Sequence, residues 1–190
     1  MVVTAAAGWA GPLPVQTFDA DHATQHSEVD YGTWNPFSDD ASQGCSGQLE
    51  RVSDREGAGQ AFRIAYDVDS PNPAYCGFWA KLSGVDLRPY HNLVLWVKGD
   101  RRVHYTTQVK LELKQRVPPP LPNVSTAPGL VVGRYLLKGI TDEWQRLVVP
   151  LDAFEGLPDR SDVMEFVIVF DDINATKKVG AISIDDIAFE

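Results

Sequence analysis

The sequence predicts an all-β fold, an antiparallel β-sandwich, and three observations carry that prediction. Short runs of Val, Ile, Leu and aromatic residues alternate with polar ones at a period of two, the spacing of a half-buried strand. Among them stand 15 Gly and 13 Pro, many at the breaks between runs, where turns need them. No segment keeps a helical period for long: 151–154 and 159–163 can each make one turn, too short for an independent helix.

In chain order, segments near 14–20 and 46–52 are the first strand candidates. The stretch 62–68 follows, with Phe62, Ile64, Tyr66 and Val68 on one face. In 76–82, Phe78, Ala80 and Leu82 share one face; Trp79 and Lys81 share the other, with Tyr75 at the strand entrance. The run 93–97 is continuous and apolar. Next, Val109, Leu111 and Leu113 point inward, which sets Lys110, Glu112 and Lys114 side by side on the non-core face. Segments 131–138, 147–149, 166–170 and 182–189 complete about ten strands, with turn signals between them in the pattern of a sandwich.

A chain of 190 residues is about one domain. Residues 1–13 read as a linker or the remnant of an export signal, and 14–190 as a single β-sandwich domain. Residues 116–129 carry five prolines and read as a long surface loop rather than a boundary, because strand-like runs resume beyond it. The 17 Lys and Arg against 26 Asp and Glu leave a net charge of −9, which argues against nucleic acid or an anionic membrane surface as partner. No run approaches the ~18 to 20 apolar residues of a spanning helix. Cys45 and Cys76 fit either a disulfide in an exported protein or two free thiols in the cytosol.

Catalytic motifs are absent: there is no nucleophile elbow, zinc-protease helix, phosphate loop or dinucleotide fingerprint. His22 and His26 have a spacing that suits zinc on a helix, but their segment reads as an acidic loop. Calcium is better served, since carboxylates such as Asp19, Asp30, Asp39, Asp40, Asp171, Asp172, Asp185 and Asp186 lie in turns and strand ends. A sheet face offering Tyr75, Trp79, Lys81, Lys110, Glu112 and Lys114 suits a sugar, whose C–H faces stack on aromatic rings and whose hydroxyls bond polar groups. The same residues equally suit a cross-strand ion-pair ladder beside a half-buried tryptophan.

Three stretches resemble jelly-roll carbohydrate-binding modules of secreted bacterial glycoside hydrolases. They are 83–100, with Pro89, Leu93 and Trp96; 139–154, with Trp144, the Pro150-Leu151 pair and Phe154; and 180–189, with the Asp185-Asp186 pair. The resemblance covers 60–190 best and implies the galactose-binding-domain-like jelly roll, a sugar cleft on the concave sheet, and a secreted or cell-surface location. It also implies a structural Ca2+ that joins Asp19, just after Phe18, to Asp185 or Asp186; the family usually has Glu where this chain has Asp19. By the same resemblance Trp96 and Trp144 are mainly core residues, while Trp34, in the turn 31–34, is a loop-borne sugar contact or a lid on the core.

The leading expectation is therefore a non-catalytic module. It would bind a polysaccharide, a neutral glucan before an acidic glycan, through Tyr75, Trp79, Lys81, Lys110, Glu112, Lys114 and Trp34, and hold an attached enzyme or surface assembly on it. One alternative is a glycoside hydrolase or lyase, which needs a carboxyl pair; Glu112 with Glu165 or Asp67 are the candidates, and Glu165 is expected beside a core-facing strand. The other is a protein-interaction or adhesion module that uses the Pro-rich loop.

Overall fold

The computed structural model describes residues 11–19, 30–35, 43–55, 59–117 and 129–190. Its strands are β1 (Leu13–Gln16), β2 (Tyr31–Trp34), β3 (Gly44–Arg51), β4 (Gln60–Asp67), β5 (Tyr75–Val85), β6 (Asn92–Gly99), β7 (Gln108–Val117), β8 (Gly129–Lys138), β9 (Gln145–Pro150), β10 (Val163–Asp171) and β11 (Val179–Phe189). One 3-10 turn, Leu151–Ala153, follows β9. Strands β3-β4-β11-β6-β9 form one sheet in that order, and β1 also pairs with β11; β2-β5-β10-β7-β8 form the second. Every pairing is antiparallel. The predicted sandwich is the fold observed.

Alternation in the sequence decides which side of each strand is buried. Phe166, Ile168 and Phe170 on β10 face inward beside Phe78 and Cys76 of β5 and Leu111 and Leu113 of β7. From the opposite sheet Ile64, Tyr66, Leu93, Leu95, Val97, Ile182 and Ile184 close the same core. At one end four rings pack together: Phe18, Tyr31, Phe62 and Phe78, with centroids 5.3–6.3 Å apart. Phe18 reaches this cluster with a left-handed backbone, φ 58°, and the Gln16 side chain accepts its N–H at 2.9 Å.

Several expectations change. The segment 31–34 is an edge strand rather than a turn, because it pairs with 77–80 of β5. Residues 159–162 make no helical turn but lead directly into β10. Val117 and Gly129, on either side of the Pro-rich stretch, are paired in the β7–β8 ladder, so β7 and β8 are antiparallel neighbours in one sheet. The segments with His22, His26, Asp39, Asp40 and the prolines at 118–128 lie outside the described residues. No helix among the described residues is long and apolar enough to cross a membrane.

Candidate functional site

On the outer face of the second sheet, the register sets side chains in rows that cross all five strands. One row runs from Gly32 through Trp79, Val167 and Glu112 to Arg134; the next from Trp34 through Gly77, Val169 and Lys110 to Leu136. A third holds Lys81, Glu165, Lys114 and Val132. All seven residues expected from the sequence, Trp34, Tyr75, Trp79, Lys81, Lys110, Glu112 and Lys114, thus occupy one sheet face.

Two glycines let the tryptophans lie down on this face. A Cβ on Gly77 would meet the Ile168 carbonyl oxygen at 2.3 Å and the Trp34 indole nitrogen at 2.9 Å. A Cβ on Gly32 would touch the Trp79 ring at 3.2 Å. Each indole therefore covers a neighbouring strand's backbone instead of standing away from it. Tyr75 meets Trp34 edge-on, with centroids 5.6 Å apart. Between the aromatic side and the charged side, Val167 and Val169 are only 1% and 4% exposed although both lie outside the core cluster. They form an apolar floor that lies beneath neighbouring side chains and offers almost no surface of its own.

The charges beside that floor pair with one another, four cations with three carboxylates. Glu165 takes Lys114 at 2.5 Å and also Lys81; Glu112 takes Arg134 at 3.4 Å and Lys110 at 4.0 Å; Asp171 takes Lys110 at 3.2 Å. Lys81 also lies 5.1 Å from the Trp79 ring centre. Burial opposes ionisation of Glu165, but hydrogen bonds and charge from Lys114 and Lys81 outweigh it and hold the carboxyl below its usual range. At Asp171 burial is likewise outweighed, by hydrogen bonds from Asn174 and the charge of Lys110. The ion-pair ladder and the aromatic surface, alternatives in the sequence, coexist on the one face.

Sequence reasoning does not place Glu165, Val167, Val169, Asp171 or Arg134 on this face, although it names Glu165 as a candidate catalytic partner of Glu112 and Asp171 as a candidate calcium ligand. Glu165 is the clearest correction: it lies on the outer face and not against the core. The signal was present, because Phe166, Ile168 and Phe170 take the inner side and alternation sends 165, 167, 169 and 171 outward.

The acidic group expected to hold calcium is arranged differently. Asp185 and Asp186 sit at a bulge of β11, where the pairing with β6 shifts between 185 and 188 and Asp186 has φ 45°. The Arg55 guanidinium bonds both carboxylates, Asp186 at 2.8 Å, and lies 4.7 Å from the Trp96 ring centre and 5.4 Å from that of Trp144. Burial first, then the adjacent Asp186, pushes the Asp185 carboxyl up to about 7 against the pull of Arg55; Asp19 adds a smaller push the same way. Asp19 accepts the Gln60 N–H at 2.5 Å. Among the described residues no three His, Cys, Asp or Glu side chains are grouped as metal ligands. Arg55 stands between Asp185 and Asp186, two of the three carboxylates expected to bind calcium.

Trp96 and Trp144 correct a second expectation. Both are half-buried and flank Arg55 on the outside of the first sheet, and the Trp144 indole donates to Asp54 at 2.9 Å. Their job is to cover a buried ion pair rather than to fill the core.

No family model and no curated protein matches the sequence. Solved structures do match. The family 11 carbohydrate-binding module of the cellulosomal cellulase Lic26A-Cel5E of Clostridium thermocellum aligns over 94% of both chains, with a TM-score of 0.66 and 12% identity. This chain has its fold. The same module in complex with a β-1,3-1,4-mixed-linked tetrasaccharide aligns over 94% of this chain and 95% of that one, again with a TM-score of 0.66 and 12% identity. An exo-β-agarase structure matches with a TM-score of 0.58 and 11% identity, over 94% of this chain but 24% of that one. The architecture is thus a jelly-roll sandwich, the fold of these solved structures.

Proposed function

We propose that this protein is a non-catalytic carbohydrate-binding module, with its sugar site on the outer face of the β2-β5-β10-β7-β8 sheet. The observation that carries the reading is the pair of indoles of Trp34 and Trp79, laid over Gly77 and Gly32 beside the apolar floor of Val167 and Val169. Pyranose rings stack on such surfaces through their C–H faces, and the flanking Lys, Glu and Asp groups reach their hydroxyls. The ladder's four cations are all paired with its three carboxylates, so the face carries little charge of its own on a chain of net −9 and favours a neutral polysaccharide, a glucan first. The mixed-linked glucan in the complexed neighbour is the first ligand to try. Affinity electrophoresis against a panel of polysaccharides tests the reading.

Targeting of an attached catalytic domain, and residence outside the cell, belong to the same proposal; the placement of the fold in a cellulosomal enzyme supports both. A hydrolase on this scaffold is disfavoured by Glu165. A general acid needs a raised pKa, and this carboxyl is held low between two lysines. Asp67 lies on β4 of the other sheet, so it cannot complete a pair with Glu112. At Asp185 and Asp186 we propose that Arg55 supplies the positive charge that the resemblance assigns to calcium.

A further inference from the structure

Cys45 lies on β3, at the edge of the first sheet, and Cys76 on β5 of the second. Both side chains turn into the space between the sheets. Cys76 is 0% exposed within the core cluster, and Cys45 packs against that cluster opposite Tyr66 in the β3–β4 ladder. The strands that carry them are in direct contact, and Cys76 is the neighbouring side chain that acts on the Cys45 thiol. Both are free thiols. Two cysteines that line the same core from facing sheets, on strands in contact, meet the first demand of a disulfide, proximity of the two side chains.

We propose that Cys45 and Cys76 form an oxidation site that closes into an intersheet disulfide when the folding chain meets a disulfide oxidant. The thiolate of one cysteine attacks a sulfur of the oxidant and releases its first thiol. The other cysteine's thiolate then attacks the protein sulfur of the mixed disulfide and releases the second thiol. The protein loses two electrons and two protons; the oxidant disulfide gains them and leaves as two thiols.

The bond would fix a weakly built edge. Strand β2 has four residues, and it meets β3 where the Asn35 side chain accepts the Cys45 N–H at 3.2 Å. Joining β3 to β5 ties this edge to an interior strand of the other sheet. Burial, and then the Cys76 neighbour, push the Cys45 thiol far above its ordinary range, so little thiolate forms in the folded protein. Closure therefore belongs to folding, before the core seals. The site is independent of the sugar-binding reading and stands or falls separately.

The test uses the unmodified protein, refolded from denaturant in a glutathione redox buffer or in excess reductant, then alkylated under denaturing conditions and weighed. Closure predicts no alkylation in the oxidised sample, a mass two hydrogens lower, and a proteolytic fragment that joins the Cys45 and Cys76 peptides. The oxidised form stays monomeric, and its Tm is about 5–10 °C above that of the reduced form. The already folded, reduced protein oxidises at least about tenfold more slowly than the refolding one. Full alkylation of both cysteines after oxidative refolding, or disulfides only between chains, would overturn the proposal. So would a Tm difference between the two buffers that persists in Cys45→Ser.

Discussion

Trp79 stands directly opposite Val167 across the β5–β10 ladder, and Val167 is buried on the side of the sheet that faces away from the core. That apolar residue lies dry beneath its neighbours, and the apolar surface next to the paired ladder of charges comes from the half-buried indoles of Trp34 and Trp79. That combination separates a binding face from an ordinary solvated one.

Removing Trp79 should cost binding far more than folding. Trp79→Ala leaves the inner residues Phe78 and Ala80 in place, so the circular dichroism spectrum should be unchanged. Loss of a central aromatic contact costs about 2 kcal/mol, a factor of about 30 in Kd. Calorimetry with a mixed-linked glucan oligosaccharide, wild type against variant, measures the ratio; a change below about twofold would remove Trp79 from the site.

A neutral ligand on an internally paired ladder should be insensitive to salt. Raising NaCl from about 0.05 to 0.5 M should alter Kd for a neutral glucan by less than about twofold, since no net charge pair forms on binding. A steep loss of affinity with salt would point instead to an acidic glycan held by Lys81, Lys110 and Lys114.

Arg55 holds the β11 bulge, so its loss should be felt in stability and not in sugar affinity. Arg55→Ala leaves the buried Asp185 without its cation, a loss of about 3 kcal/mol, or about 6–12 °C in Tm. With Arg55 in place, excess EGTA should move Tm by no more than about 1 °C. A large drop on chelation would return Asp19, Asp185 and Asp186 to the calcium role.

Asp185 also sets a pH dependence. Its folded pKa, about 7, lies above the value near 3.9 of an unfolded aspartate. Between those values the unfolded chain has released a proton that the folded chain keeps, so the contribution is full below about pH 4 and is lost as pH rises to about 7. Melting curves of wild type and Asp185→Asn from pH 5 to 8 should converge or cross, with the variant gaining on wild type toward pH 8. Parallel curves would show that Asp185 ionises normally.

Much of this was legible in the sequence because period-two alternation reports burial directly. Strands β4, β5 and β7 and their outward residues Trp79, Lys81, Lys110, Glu112 and Lys114 follow from it. What escaped depended on partners distant in the chain. Tyr31–Trp34 has no strand signal of its own and is extended only because β5 offers an edge. Val167 and Val169 stand in a continuous apolar run, where alternation separates them from Phe166, Ile168 and Phe170 but the packing of the sheets decides which of the two sets faces the core. Arg55 lies in a short polar loop, so nothing nearby in sequence announces its reach to Asp185, 130 positions on.

The most direct test of the central claim is affinity gel electrophoresis of wild type, Trp34→Ala and Trp79→Ala through a panel of neutral and acidic polysaccharides. The account predicts that at least one neutral glucan retards the wild type and that both variants migrate as in a glycan-free gel. Migration unaffected by every polysaccharide, or equal retardation of all three proteins, would contradict it.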